Sequence, residues 1–334
     1  MASRVAAVFL VIVAAAVAGG CVAGGESELT VYSGRNERLV GPLFEDFERA
    51  TGIETEVRYG DSAELAATIA EEGENSPADV FFAQDAGSLG SVAREGLLGR
   101  LPPATLGRVD ERFRARDGRW VGTSGRVRVV AYNTDALAEQ DLPDSIWAYA
   151  SARWKGRIGF PPTNASFQAM VTAMRVAAGD ERTRAWLEAI EANDPELYEN
   201  NIQTVEAIAA GEIDVGFVNH YYLFGLREEQ PDVPVANHYV APGDPGALVN
   251  VAGAGIIAHT DNREEAQRLL DFLLDAGQRY FAEETAEYPL VAGVPPGEDL
   301  PPLTALHGPD IELARLGPEL AETLDLLNAV GLTS

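Results

Sequence analysis

From Glu28 onward, strand-like and helix-like segments alternate, and this alternation limits the possible folds more than any other feature of the 334-residue chain. Residues 28–32 form a short β-rich run closed by Ser33 and Gly34. Leu39, Leu43, Phe44 and Phe47 recur at helical spacing up to Thr51, and Gly52 supplies the stop. Residues 53–59 alternate as a strand. Residues 62–72 carry Leu65, Ile69 and alanines on one helical face, and 80–82 is an apolar strand leading to a helix that ends near Glu95. A β-α-β-α-β order predicts a parallel sheet with right-handed crossovers.

The middle of the chain repeats the theme. Strand-like runs at 156–160 and 213–218 are interleaved with helical patterns at 167–178, 181–192, 204–210 and 221–229. Two further β-rich stretches, 127–132 and 249–258, lie far apart in sequence, which suits strands crossing between two α/β lobes. Helical patterns at 262–275 and around Leu320, Leu324 and Leu327 complete the chain. The expected architecture is a two-lobed α/β fold with crossing hinge strands and an interlobe cleft. The first lobe is expected at 28–126 plus about 255–285. The second is expected at 127–254 plus about 286–334. Ligands of open parallel sheets sit beyond the carboxyl ends of strands, so the residues just after each strand are the ones to inspect.

The first 27 residues differ in kind. Arg4 precedes an apolar run, 5–17, which leads to Ala18-Gly19-Gly20-Cys21. This reads as a signal peptide over 1–20, with a run too short for a membrane span. Cys21, the only cysteine, resembles the lipidated cysteine of a bacterial lipobox, although Ala18 stands where Leu is commonest. Residues 21–27 then form a lipid-anchored tether, and the globular part sits just outside the cytoplasmic membrane as an expected monomer. The net charge of -27 excludes nucleic acid as a natural partner.

Three constellations carry possible chemistry. Asn219-His220-Tyr221-Tyr222 follows a strand and opens a helix. Two phenols at one strand end suit a hard cation such as ferric ion, although they also fit helix residues covering the core edge. Asn164, Ala165 and Ser166 join a strand to a helix, as caps or as an anion cradle on the first-turn amides. Arg126 and Arg128 share one face of a strand, where arginine can clamp an oxyanion or simply face solvent. Enzymatic signals are weak, with no nucleophile elbow and no paired-histidine metal motif. Gly253-Ala-Gly255 is a lone glycine pair and not a dinucleotide fingerprint. The expected role is binding, not catalysis.

Leu29-Thr-Val-Tyr-Ser-Gly-Arg35, Glu72-Gly-Glu-Asn-Ser-Pro-Ala-Asp-Val-Phe-Phe82, Trp154-Lys-Gly-Arg157, Asn219-His-Tyr-Tyr222 and Glu287-Tyr-Pro-Leu290 occur here in the order and spacing of one family. By these segments the chain resembles the ferric-ion-binding proteins of bacterial iron ABC importers, within the type II periplasmic binding fold. The resemblance implies Fe(III) held by Tyr221 and Tyr222, with carbonate or phosphate as a synergistic anion near Asn164, Ala165, Ser166, Asn201 and Asn219. It also implies delivery to a permease and its ATPase. The chain departs from the pattern at two positions, where Asn36 and Gln84 replace the histidine and glutamate ligands of some members. Tyr59 is then expected as a third phenolate and Arg126 as a carbonate holder. The departures keep a second ligand class open: an oxyanion, a polyamine or a thiamine-like molecule.

Overall fold

The computed structural model describes residues 28–333. The expected signal peptide, the tether and Cys21 lie outside these residues. Strands β1 (Glu28–Ser33), β2 (Glu54–Tyr59) and β3 (Val80–Ala83) alternate with helices α1 (Glu37–Thr51), α2 (Ser62–Glu72) and α3 (Ala86–Arg94). The closing glycine and most of the apolar stripe of α1 act as expected, while Leu39 is exposed and Val40 is buried in its place. Asn36 caps α1 by accepting from the Arg38 N–H, and Gly52 closes it in the left-handed conformation. Val40, Leu43, Phe44 and Phe47 are buried. β1 pairs in parallel with both β2 and β3.

A short helix α4 (Pro103–Leu106) leads to the 13-residue strand β4 (Val121–Asn133), every residue of which is buried. The second lobe follows with β5 (Ile158–Phe160), α5 (Ala165–Ala178), α6 (Asp180–Ala192), β6 (Glu196–Leu197) and α7 (Asn201–Ala210). It continues through β7 (Val215–Asn219), α8 (Tyr222–Glu229) and β8 (Val235–His238). The chain then returns through β9 (Val249–Ile256), α9 (Arg263–Leu273), α10 (Ala276–Glu283), β10 (Tyr288–Pro289) and α11 (Leu320–Ala329).

β4 joins the lobes. Its first half, up to Val127, pairs with β9, and its second half, from Arg128, pairs with β7 and β8. The hydrogen-bonded order runs β2-β1-β3-β9-β4-β7-β5-β6. The sequence places the return to the first lobe near 254/255. In the structure β9 pairs with β3 and β4 along its length, so the return falls at Leu248–Val249. The sequence also assigns 286–334 to the second lobe. Instead β10 pairs with Ser124 and Gly125 of β4, and Gly317 packs closely on Gly87 of α3. Other parts of this tail meet the second lobe: the His307 carbonyl accepts from the Gly243 N–H at 2.7 Å, the Glu319 carbonyl accepts from Arg175 Nη1 at 2.7 Å, and Thr323 of α11 is bonded to Thr172 at 2.8 Å. The tail follows the partners its apolar residues find, which periodicity does not reveal.

Gly253 and Gly255 receive a structural explanation. A Cβ at Gly253 would stand 2.7 Å from the Val121 carbonyl oxygen, and one at Gly255 would stand 2.7 Å from Leu98. The pair lets β9 lie close against β4 and its covering layer.

Candidate functional site

β7 ends at Asn219, and the chain turns through His220 and Tyr221 before α8 starts at Tyr222. The turn brings the phenols together, with hydroxyls 3.1 Å apart and ring centroids 4.4 Å apart. His220 holds this turn. Its Nδ1 accepts from the Val127 N–H at 3.2 Å, so Nε2 carries the proton and donates to the Ala286 carbonyl at 2.8 Å. Burial pulls its pKa down to about 4. A neutral histidine with both nitrogens engaged is a fixture of the turn and not a ligand. Burial, and next the adjoining Tyr221 phenol, push the Tyr222 phenol far above the ordinary tyrosine range.

Three buried arginines adjoin the pair. Arg128 donates from Nη1 to Ser166 Oγ (3.0 Å) and Asn219 Oδ1 (3.2 Å), and from Nη2 to the Phe217 carbonyl (2.6 Å). All three acceptors are neutral. Burial lowers its pKa to about 9, against the pull of Tyr222 and Tyr221, so it stays cationic at neutral pH. Arg126 lies beside Tyr222 and donates from Nη2 to the Gln84 carbonyl, and its Nε has no partner. Arg35 forms an ion pair with Glu287 at 2.6 Å, both side chains being at most 2% exposed. The Ser124 hydroxyl donates to the other oxygen of that carboxylate. Burial opposes both charges, yet their attraction outweighs it, raising Arg35 and lowering Glu287. Arg35 Nε and Nη1 have no partner among the described residues.

The Asn164-Ala165-Ser166 segment adjoins these groups through Arg128. Asn164 caps α5, its Oδ1 accepting from the Ser166 N–H at 3.0 Å and from Ser166 Oγ at 2.6 Å. Ala165 and Ser166 face a cleft of about 390 Å³ whose other walls include Arg126, Gln84 and residues of α2 and α3. The tyrosines are not among the residues lining that cleft. They adjoin it through Arg126. Asn201, fully buried at the start of α7, lies beside the Tyr222 hydroxyl, and neither of its amide atoms makes a well-formed hydrogen bond.

The structure therefore gathers Tyr221, Tyr222, Asn201 and Arg126. It links Asn219, Ser166 and Asn164 to them through Arg128. It does not bring Tyr59 to the pair. The Tyr59 hydroxyl lies on α1, 3.8 Å from where a Gly41 Cβ would stand. Burial and the carboxylates of Glu37, Glu45 and Glu48 push its pKa up to about 12, the wrong direction for a phenolate ligand. Asn36 is exposed and spent as a helix cap. Gln84 reaches the site through its carbonyl, while its N–H is taken by Ser62 Oγ at 2.9 Å. Among the described residues, no group of three or more His, Cys, Asp or Glu side chains could hold a metal ion. Sequence reasoning assigned no role to Arg35, Glu287 or Ser124. The only signal was that Arg35 and Glu287 stand in two of the segments shared with the iron-binding proteins.

A β4 strand running through both lobes, with a cleft beside its midpoint, defines an extracellular solute-binding protein. Residues 29–284 match the model of the family described as bacterial extracellular solute-binding protein, and the chain belongs to that family. Its relatives there include proteins named for iron. The chain is 31% identical to the Fe(3+)-binding periplasmic protein of Serratia marcescens, over 94% of this chain and 93% of the relative. It is similar to iron-bound HitA from Pseudomonas aeruginosa, at 35% identity and a TM-score of 0.84, covering 91% of this chain and 99% of that one. A Trichodesmium protein (FutA) in complex with iron and citrate aligns at 28% identity and a TM-score of 0.82, covering 92% and 100%.

Proposed function

We propose that this protein captures ferric ion with an accompanying anion and delivers it to the permease of an ABC importer. The observation that carries the reading is the pair of phenol hydroxyls 3.1 Å apart at the end of β7, with Arg126 and Asn201 beside them. The Tyr222 phenol, pushed far up by partial burial, is neutral in the empty site. A trivalent cation between the two phenols stabilises both phenolates and reverses that preference. The anion, carbonate or phosphate in the simplest case, sits between Arg126 and the start of α5 near Asn164, Ala165, Ser166, Asn201 and Asn219. Iron-named relatives at 31–35% identity over more than nine-tenths of the chain support the same ligand. The role is capture and not turnover. A lipid on Cys21 would keep the protein beside its permease. No helix among the described residues is long and apolar enough to cross a membrane.

A second reading, an oxyanion alone, draws on the same three arginines. A polyamine or thiamine-like cation is disfavoured by them. Ferric ion added to metal-stripped protein should produce a visible phenolate-to-iron charge-transfer band. Tyr221→Phe and Tyr222→Phe should each weaken ferric binding by more than about 100-fold, the upper end of what loss of a supporting residue costs a metal site. Acidification should bleach the band as phenolates and anion take up protons. A band that persists in the double phenylalanine variant would sink the assignment.

A further inference from the structure

We propose that His220 is a positioning residue that couples the tyrosine turn of the second lobe to the Arg35–Glu287 pair of the first, so that ferric binding at the phenols is registered in the segment just before β10. The inference rests on the ferric reading above and adds to it a route between the lobes. His220 is fully buried, and its two ring nitrogens are engaged on different elements. Nδ1 accepts from the N–H of Val127, the residue at which β4 changes partners. Nε2 donates to the carbonyl of Ala286, which leads into the first-lobe pairing of β10. The ring also lies against Tyr221 and against Tyr288 of β10, with centroids 5.6 Å and 4.9 Å away. One side chain thus touches a phenol of the site, the crossing strand and a first-lobe segment.

The segment it reaches is under constraint. Ala286 has a φ of +51°, a left-handed conformation that disfavours any residue with a Cβ. Such a conformation persists where the surrounding contacts over-determine it. Two contacts flank it here. His220 holds the Ala286 carbonyl, and the Glu287 N–H donates to the Phe281 carbonyl at 2.9 Å. From this turn the buried Glu287 carboxylate meets Arg35 and Ser124.

The contacts close a ring. Arg35 lies near enough to the phenols for Tyr221 and Tyr222 to act on its charge. Arg35 is paired with Glu287, Glu287 follows Ala286 in the chain, Ala286 is bonded to His220, and His220 precedes Tyr221. When ferric ion turns the phenols into phenolates, Arg35 is drawn toward them and Glu287 with it. His220 holds the other end of the same segment, so the segment tightens as iron binds. Without the Ala286 bond the constrained turn relaxes, and Arg35 is no longer held where the phenolates form.

The two nitrogens can be tested separately. His220→Gln keeps a donor near the Nε2 position, whereas His220→Asn keeps an acceptor near the Nδ1 position and loses its reach to Ala286. The metal-stripped full chain is titrated with ferric ion in bicarbonate buffer and read by the visible band. Hydrogen–deuterium exchange over residues 284–289 is followed with and without iron. Iron should slow that exchange in wild type and in His220→Gln, whose affinity should stay close to wild type. His220→Asn should weaken ferric binding about tenfold, as the loss of one buried hydrogen bond does, and should show no iron-dependent slowing while its melting curve stays cooperative. A residue that merely supports the fold would lower the melting temperature and leave the slowing in place. Should His220→Asn fail to fold, wild type still decides. Exchange over 284–289 that is indifferent to iron overturns the coupling, as do equal affinity and equal slowing in the two variants, and either result leaves ferric capture standing. No band in wild type overturns the ferric reading, and the coupling with it.

Discussion

Arg35 and Glu287 are separated by 252 positions in the chain and meet in a pair that excludes water. Removing one partner strands a buried charge, at a cost of about 3–5 kcal/mol. Glu287→Gln should lower the denaturant midpoint of the metal-free protein accordingly. The pair also sets a pH dependence. The Glu287 carboxyl is held below its ordinary value in the folded protein, so the unfolded chain binds that proton first on acidification. Its stabilising contribution is present above the ordinary carboxyl value and is lost progressively as pH falls from there through the lowered folded-state value. Wild type should therefore lose more stability than Glu287→Gln as pH falls below about 4. A second residue-scale prediction concerns Tyr59. With its hydroxyl against α1 and three carboxylates nearby, Tyr59→Phe should leave the charge-transfer band and ferric affinity unchanged. The adjacency of Tyr221 and Tyr222 after a strand was visible in the sequence, but their reading as a shared site came from the resemblance to the iron-binding proteins and not from the pattern. The buried ion pair was not, because an arginine and a glutamate so far apart look like surface residues until the fold joins them.

Among the elements, β4 and β9 determine whether the lobes are joined correctly. Their contact depends on the missing side chain at Gly253, where a methyl group would meet the Val121 carbonyl. Gly253→Ala should cost about 1–3 kcal/mol, the range for forced overpacking of a core, measurable by urea unfolding. The helices and strands of the first lobe were readable from period and punctuation, since Leu43, Phe44 and Phe47 of α1 are buried and Gly52 closes it in the expected places, although Leu39 is exposed and Val40 is buried instead. β10 was not readable as an element. It is two residues long, and its pairing with Ser124 and Gly125 is a property of the assembled sheet. The glycine pair was visible but mute, because close backbone approach leaves no chemical signature in sequence.

On the scale of the whole molecule, ligand binding to the folded state alone must raise stability. At a free ferric concentration a hundredfold above Kd the gain is about 2.7 kcal/mol. The melting temperature should rise with iron and fall back when a strong chelator is added, and Tyr222→Phe should show neither shift. The two-lobed plan was legible from alternation and from two distant β-rich stretches. The path of the tail was not, since β10 and Gly317 pack on the first lobe while His307, Glu319 and α11 meet the second.

That last contact has a consequence for biogenesis. Leu326 and Leu327 of α11 belong to the same core as Phe160, Phe167 and Phe217. A chain threaded amino-end first through a secretion channel could not finish that core until Leu326 and Leu327 had emerged. The half-translocated protein would hold one lobe ready to fold and the other waiting, exposed to proteases and in need of a holding chaperone. Ribosome- or channel-stalled chains ending near residue 315 should accordingly show protease resistance confined to the first lobe.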